Sequence, residues 1–155
     1  MNFKESVAAT PHLKNSFCEG LQALRAEDKP HIEVEDTRKL AGSVDVDTAL
    51  QKAQPQANRW DFAIAYNHTN RREEFVYWTE LHTASNSQVK VVTKKAQWLV
   101  CWLKNEGHPL AGFERDILWV SSGATSFNLT GYQQKQMAAA GLRHVGSKLR
   151  IRNKR

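Results

Sequence analysis

Two acids and a histidine stand out in this chain: Asp61 in the segment WDFAIAY (60–66), and Glu80 with His82 in YWTELHTAS (77–85). Burial penalises a carboxylate's charge, yet both acids lie among large apolar residues. If the two segments are strands, alternation puts Glu80 and His82 on one face, about 7 Å apart along the chain. A neighbouring strand that sets Asp61 opposite them lets the carboxylate oxygens meet. Two carboxylates held together at neutral pH repel, so such a pair calls for a cation, a proton or another counter-charge. Magnesium, or manganese in its place, suits hard oxygen ligands and needs only one or two protein carboxylates when substrate phosphate completes its shell. The chemistry would then be metal-assisted attack on a phosphodiester, with Asp61 and Glu80 as ligands. The plainer reading makes Asp61 a strand-end acid, and Glu80 and His82 a structural hydrogen-bonded pair.

In this pattern the chain resembles the PD-(D/E)xK nuclease-like superfamily, whose core places an Asp on one strand and an acid-x-Lys signature on its neighbour. The resemblance covers roughly residues 43–120. It implies a restriction-endonuclease-like core, a Mg or Mn cofactor and a nucleic-acid partner, with Asp61 and Glu80 as metal ligands. The chain departs from the pattern at His82, where the family usually has lysine. A neutral imidazole can position water, bind metal or act as a base, but it lacks lysine's permanent positive charge. The following helix offers a substitute. On its wheel Lys95 lies at the edge of the apolar stripe, whereas Lys94 points almost directly away, so Lys95 joins His82 as a candidate for orienting water or phosphate. Superfamily members can also take an acid from the N-terminal helix. Here Glu19 lies nearly opposite the stripe of Leu13, Phe17, Leu21 and Leu24, so it reads as solvent-facing and is left out of the site.

The elements that must position these residues are legible as periodicities. Thr10-Pro11 suits the start of a helix whose stripe of Leu13, Phe17, Leu21 and Leu24 runs to the Lys29-Pro30 boundary. Ile32 and Val34 alternate briefly, as a strand or a loop. Val44 and Val46 suggest a strand leading into a short helix capped by Asp47. Strands follow over 60–66 and 74–83, the second with Val76 and Trp78 on one face and Phe75, Tyr77 and Leu81 on the other. Beyond Ser85-Asn86-Ser87, the residues Val89, Val92, Ala96, Leu99, Val100 and Leu103 repeat with helical spacing. A strand over 117–120 comes next, and Thr130 with Gln133 forms a capping box for a helix that Gly141 closes. Leu149 and Ile151 suit an edge strand. The expected fold is a single α/β domain over 1–155, with a mixed central sheet flanked by helices.

Composition bounds the function. A charged fraction of 25% and a hydrophobic fraction of 41% are those of a folding chain rather than a disordered one. No apolar run reaches membrane-spanning length and the first residues lack a signal-peptide core, so the expected location is cytoplasmic, with no membrane partner. Cys18 and Cys101 are far apart and form no CxxC pair; they read as buried, reduced thiols. The five Trp residues read as core rather than base-stacking platforms. The net charge of +6 favours polyanionic partners. The excess gathers from about residue 143, where Arg143, Lys148, Arg150, Arg152, Lys154 and Arg155 could follow a phosphate backbone or form a solvated tail. Three functions stay open: a metal-dependent nuclease, a non-catalytic module that binds nucleic acid or an acidic protein, and an interaction domain whose charge serves solubility.

Overall fold

Positions 62–66 and 75–80 are buried without interruption, the pattern of strands covered on both faces. The computed structural model describes every residue except Ala124, Ser126 and Arg155. In chain order the elements are α1 (Phe3–Ala8), β1 (Phe17–Cys18), β2 (Ile32–Val34), β3 (Leu40–Asp45), α2 (Val46–Leu50), β4 (Phe62–Tyr66), β5 (Phe75–His82), α3 (Val89–Lys104), β6 (Arg115–Ser121), α4 (Gly131–Ala139), β7 (Leu142–His144) and β8 (Leu149–Ile151). Six strands form one mixed sheet in the order β1-β3-β4-β5-β6-β7, and β2 pairs with β8 in a separate ribbon. The pairings from β1 to β5 are antiparallel; β5 with β6 and β6 with β7 are parallel. The parallel steps are made by α3 and α4, as a crossover between parallel strands requires. This is a single α/β domain with a mixed sheet and helices.

The sheet separates two hydrophobic cores. Ala63, Ala65, Val76, Trp78, Ile117 and Trp119 face the helical side with Val89, Val92, Ala96, Leu99 and Leu103 of α3. Phe62, Ile64, Tyr66, Tyr77, Leu118 and Val120 face the other side, where the β2–β8 ribbon supplies Ile32, Leu149 and Ile151. Strand alternation therefore places each residue of β4 and β5 on a definite side. At the sheet's first edge, a Cβ on Gly42 would lie 2.2 Å from the Phe17 ring, and the residue has φ 138°. Only glycine permits that approach.

The structure corrects the expectations at three points, the second of them double. No helix spans 11–24. Helix α1 lies earlier, with Asn2 and Glu5 closing a capping box. The Thr10 hydroxyl donates to Ser6 O rather than capping a following helix. The apolar stripe divides between the two cores, Leu13 and Phe17 packing on the helical side and Leu21 and Leu24 on the other. One rigid helix cannot serve both faces of a sheet, and the chain turns through positive φ at His12 and Gly20 instead. The second correction concerns caps and thiols. Asp45, not Asp47, caps α2 by accepting from Thr48 N, and neither cysteine is fully buried, with Cys101 exposed. Third, Leu149–Ile151 is not an edge of the main sheet; it pairs parallel with Ile32–Val34, while the unforeseen β7 takes the edge. Among the described residues no helix is long and apolar enough to cross a membrane.

Because Leu149 and Ile151 close the second core, the C-terminal segment should bear load. Leu149→Ala and Ile151→Ala are each expected to lower unfolding stability by roughly 2–4 kcal/mol. Arg152→Gln, at an exposed site, should change it by less than about 0.5 kcal/mol. Urea denaturation measures both; equal, negligible losses would mark the segment as an inert tail.

Candidate functional site

The antiparallel register pairs Phe62 with Thr79, which brings Asp61, one residue earlier, alongside Glu80. Glu80 shares the face of Trp78 and Asp61 that of Ala63, so both carboxylates point to the α3 side. Each binds the other's strand. Glu80 Oε1 accepts from Asp61 N at 3.1 Å, and Asp61 Oδ2 accepts from Leu81 N at 3.1 Å. These bonds lock the end of the β4–β5 ladder through side chains. The acids are nevertheless taken out of water, Glu80 being 1% and Asp61 8% exposed.

Helix α3 answers the charge of Glu80. Its buried stripe includes Val92, Ala96 and Leu99, and Lys95 at the stripe's margin reaches inward so that its Nζ contacts Glu80 Oε2. Lys94 is exposed. His82, two residues beyond Glu80 on the same face, places Nδ1 3.5 Å from the same Oε2, while its Nε2 lies 2.7 Å from Gln88 Oε1. A bond donated by Nε2–H to that amide oxygen turns Nδ1 toward the carboxylate, which favours a second proton. Accordingly the bond to Glu80 raises the His82 pKa against the opposing effect of burial. Among the described residues no cation is in contact with Asp61. Burial, then the charge of Glu80, pushes its carboxyl up to about 7, with Lys95 and the Leu81 N–H pulling the other way.

Asp61, Glu80, His82 and Lys95 are thus brought together. Gln88, which the sequence reading missed, completes the group from the 3₁₀ turn Asn86–Gln88. That turn is braced: Asn86 Nδ2 donates to Asn128 O at 2.7 Å and to Gln133 Oε1 at 2.9 Å. Its only sequence signal was a place in the polar stretch before α3. Glu19 is exposed and outside the cluster. Among the described residues no group of three His, Cys, Asp or Glu side chains is arranged to hold a metal ion, so any metal would rest on the two carboxylates and on non-protein ligands.

The basic segment lies elsewhere. Arg150 Nε is 2.9 Å from Glu33 Oε2 and Arg143 Nη2 is 3.4 Å from Asp116 Oδ2. Lys148, Arg152 and Lys154 are exposed, and Arg155 falls outside the described residues. These side chains flank the core opposite the acids. His144, beside Arg143 in the sequence, lies with Nε2 2.6 Å from Ser121 Oγ, and burial lowers its pKa. No family model, curated protein or solved structure matches the chain.

The raised Asp61 pKa fixes a sign. Between about pH 4 and pH 7 the unfolded carboxyl has lost its proton and the folded one keeps it, so the folded state binds more protons and stability falls as pH rises. The loss is on the order of 4 kcal/mol. His82 acts in the same direction: its raised folded pKa adds stability below about pH 6.5 that disappears as pH rises through the folded value. Asp61→Asn, whose amide oxygen can still accept from Leu81 N, should flatten the slope between pH 4 and 7. Urea titrations at stepped pH provide the check, and an unchanged slope would show that Asp61 ionises normally.

Proposed function

We propose that this chain is a nuclease-like protein of the PD-(D/E)xK type, a Mg- or Mn-dependent phosphodiesterase acting on DNA or RNA. The observation that carries the reading is the cross-strand pair of Asp61 and Glu80 with Lys95 delivered to it from α3. Lysine chemistry absent from position 82 is thereby supplied from the helix. The order of α1, the antiparallel β3, β4 and β5, then α3 and the parallel β6 accords with a restriction-endonuclease-like core.

The donor set fits a divalent ion. Lys95 offsets one of two adjacent buried carboxylates, and among the described residues no cation contacts Asp61. Asp61 Oδ1 accepts no hydrogen bond among the described residues; Oδ2 takes the Leu81 N–H. Magnesium needs only one or two protein carboxylates when water and phosphate complete its shell, and it would draw on Asp61 Oδ1 first, because both Glu80 oxygens already have partners. A bound ion would polarise a phosphodiester oxygen and lower the pKa of water. Asp61 and Glu80 would hold it, their carboxylates fixed by the Leu81 and Asp61 backbone N–H groups respectively. Lys95, in contact with Glu80 Oε2, would supply positive charge to a phosphate bound there. Gln88 orients the His82 ring, whose raised pKa suits it to carry a proton to or from the reaction near neutral pH.

Cleavage of labelled DNA and RNA should require Mn²⁺ or Mg²⁺. Asp61→Asn, Glu80→Gln and Lys95→Met should each lower the rate by about 100-fold or more, and His82→Gln by about tenfold, with circular dichroism showing retained folding. Turnover in EDTA, or activity indifferent to Asp61→Asn, would refute the assignment.

One observation favours a second reading, a non-catalytic module that binds nucleic acid or an acidic protein. The Lys95–Glu80 contact and the reciprocal backbone bonds give both acids structural roles without any metal. Thermal melts separate the two. A ligand site predicts that Mn²⁺ raises the Tm of the parent but not of Asp61→Asn, whereas the module predicts no shift in either and salt-sensitive binding without turnover.

A further inference from the structure

We infer that the C-terminal segment forms a second nucleic-acid site, on the sheet face opposite Asp61 and Glu80, where a cleft grips the phosphate backbone of one strand. The inference stands apart from the acid cluster and needs no metal.

Its basis is the burial pattern of β8. Leu149 and Ile151 are buried while Lys148, Arg150 and Arg152 are exposed, and Lys154 beyond the strand is exposed too. Residues two apart on a strand lie roughly 7 Å apart. The outward row therefore presents cations at a pitch comparable with that of successive phosphates on one nucleic-acid strand. Beside the row runs a cleft of about 550 Å³, to which Arg143 adds a fifth cation, and Asp116 is the one acid among its described lining residues. Tyr77, Leu118 and Leu149 also line it. All three belong to the core opposite α3, so the cleft and the carboxylates are on different sides of the sheet.

The cations differ in what already engages them. Arg143 and Arg150 have acidic neighbours in Asp116 and Glu33. Lys148 and Arg152 make no ion pair among the described residues, and the Lys154 ammonium rests 4.1 Å from the centroid of the Phe75 ring. The backbone beneath them is tied down. Asn153 N donates to Glu35 Oε2 at 2.6 Å, and Lys154 N donates to His68 Nδ1 at 3.1 Å. His68 passes the constraint to the sheet by donating from Nε2 to the Tyr77 hydroxyl at 2.8 Å. A row held this way loses little backbone entropy on binding, unlike a flexible basic tail. Neutralised phosphates would release counterions and make the affinity steeply salt-dependent.

The test is fluorescence anisotropy with a labelled single-stranded oligonucleotide in EDTA, over a range of salt concentrations. Lys148→Gln/Arg152→Gln/Lys154→Gln should weaken binding roughly tenfold or more and reduce the salt slope by about 2, near 0.7 per cation for a single strand. Lys148→Glu alone, at an exposed position just before β8, should weaken it in the same direction. The control Lys14→Gln/Lys104→Gln/Lys135→Gln removes equal charge from exposed sites outside the cleft and should stay within about twofold of the parent. Binding is read in EDTA, where metal-dependent cleavage cannot run, which keeps this result separate from any failure of cleavage. The cleft is overturned if the parent does not bind, if both triple variants lose affinity equally, or if the cleft triple binds like the parent.

Discussion

A carboxylate sunk into an apolar sheet face costs several kcal/mol unless a counter-charge and hydrogen bonds meet it, and Glu80, 1% exposed, sets that demand at the centre of this structure. Its oxygens are met from three elements. Asp61 N comes from the start of β4, Lys95 from α3, and the His82 ring from β5 itself. Each donor restricts a degree of freedom. The first bond fixes the β4–β5 register at its end, and the second fixes the rotation of α3 about its axis. Through Gln88 the third ties β5 to a turn that Asn86 joins to α4. Breaking any one leaves a buried charge partly unmatched, so the chemistry of the group and the geometry of the domain rest on the same contacts.

The same sheet imposes a second requirement, because both of its faces are apolar. The helices cover one. The other is closed by a short parallel ribbon whose strands come from distant parts of the chain, Ile32–Val34 and Leu149–Ile151. The most basic stretch of the sequence is consequently also a structural element. Alternation lets it do both, since its apolar residues enter the core and its cations face outward. This arrangement sets the cationic row apart from the acids.

Much of this was legible because strong periodicities dominate where they coincide with burial. The runs at 60–66, 74–83 and 89–103 each sit within two residues of β4, β5 and α3, and the Thr130 capping box begins α4 as its residues require. The proximity of Asp61 and Glu80 followed from strand alternation plus one assumption, that the two strands are neighbours. The inward reach of Lys95 followed from its place at the margin of the helical stripe. The stripe at 13–24 misled because a spacing of three and four residues fits a helix but does not demand one. There the two halves of the stripe belong to different cores, which local spacing cannot encode. Gln88 and the β2–β8 pairing were equally out of reach, since both depend on contacts between segments whose relative placement only the tertiary fold decides.

The two carboxylates are neighbours on one face, yet they are not equivalent, and the difference bears on whether the cluster is only structural. Glu80 has a reason to be charged, since Lys95 is in contact with it. Asp61 accepts one backbone N–H through Oδ2, a task that an amide oxygen performs as well. Its negative charge adds nothing to that bond that offsets the repulsion from Glu80 and the loss of hydration, which together hold its carboxyl up to about 7. A purely structural site would be more stable without an ionisable group at that position. A proton relieves that cost as a cation would, so the ionisation of Asp61, unlike that of Glu80, is set by whatever else shares the site.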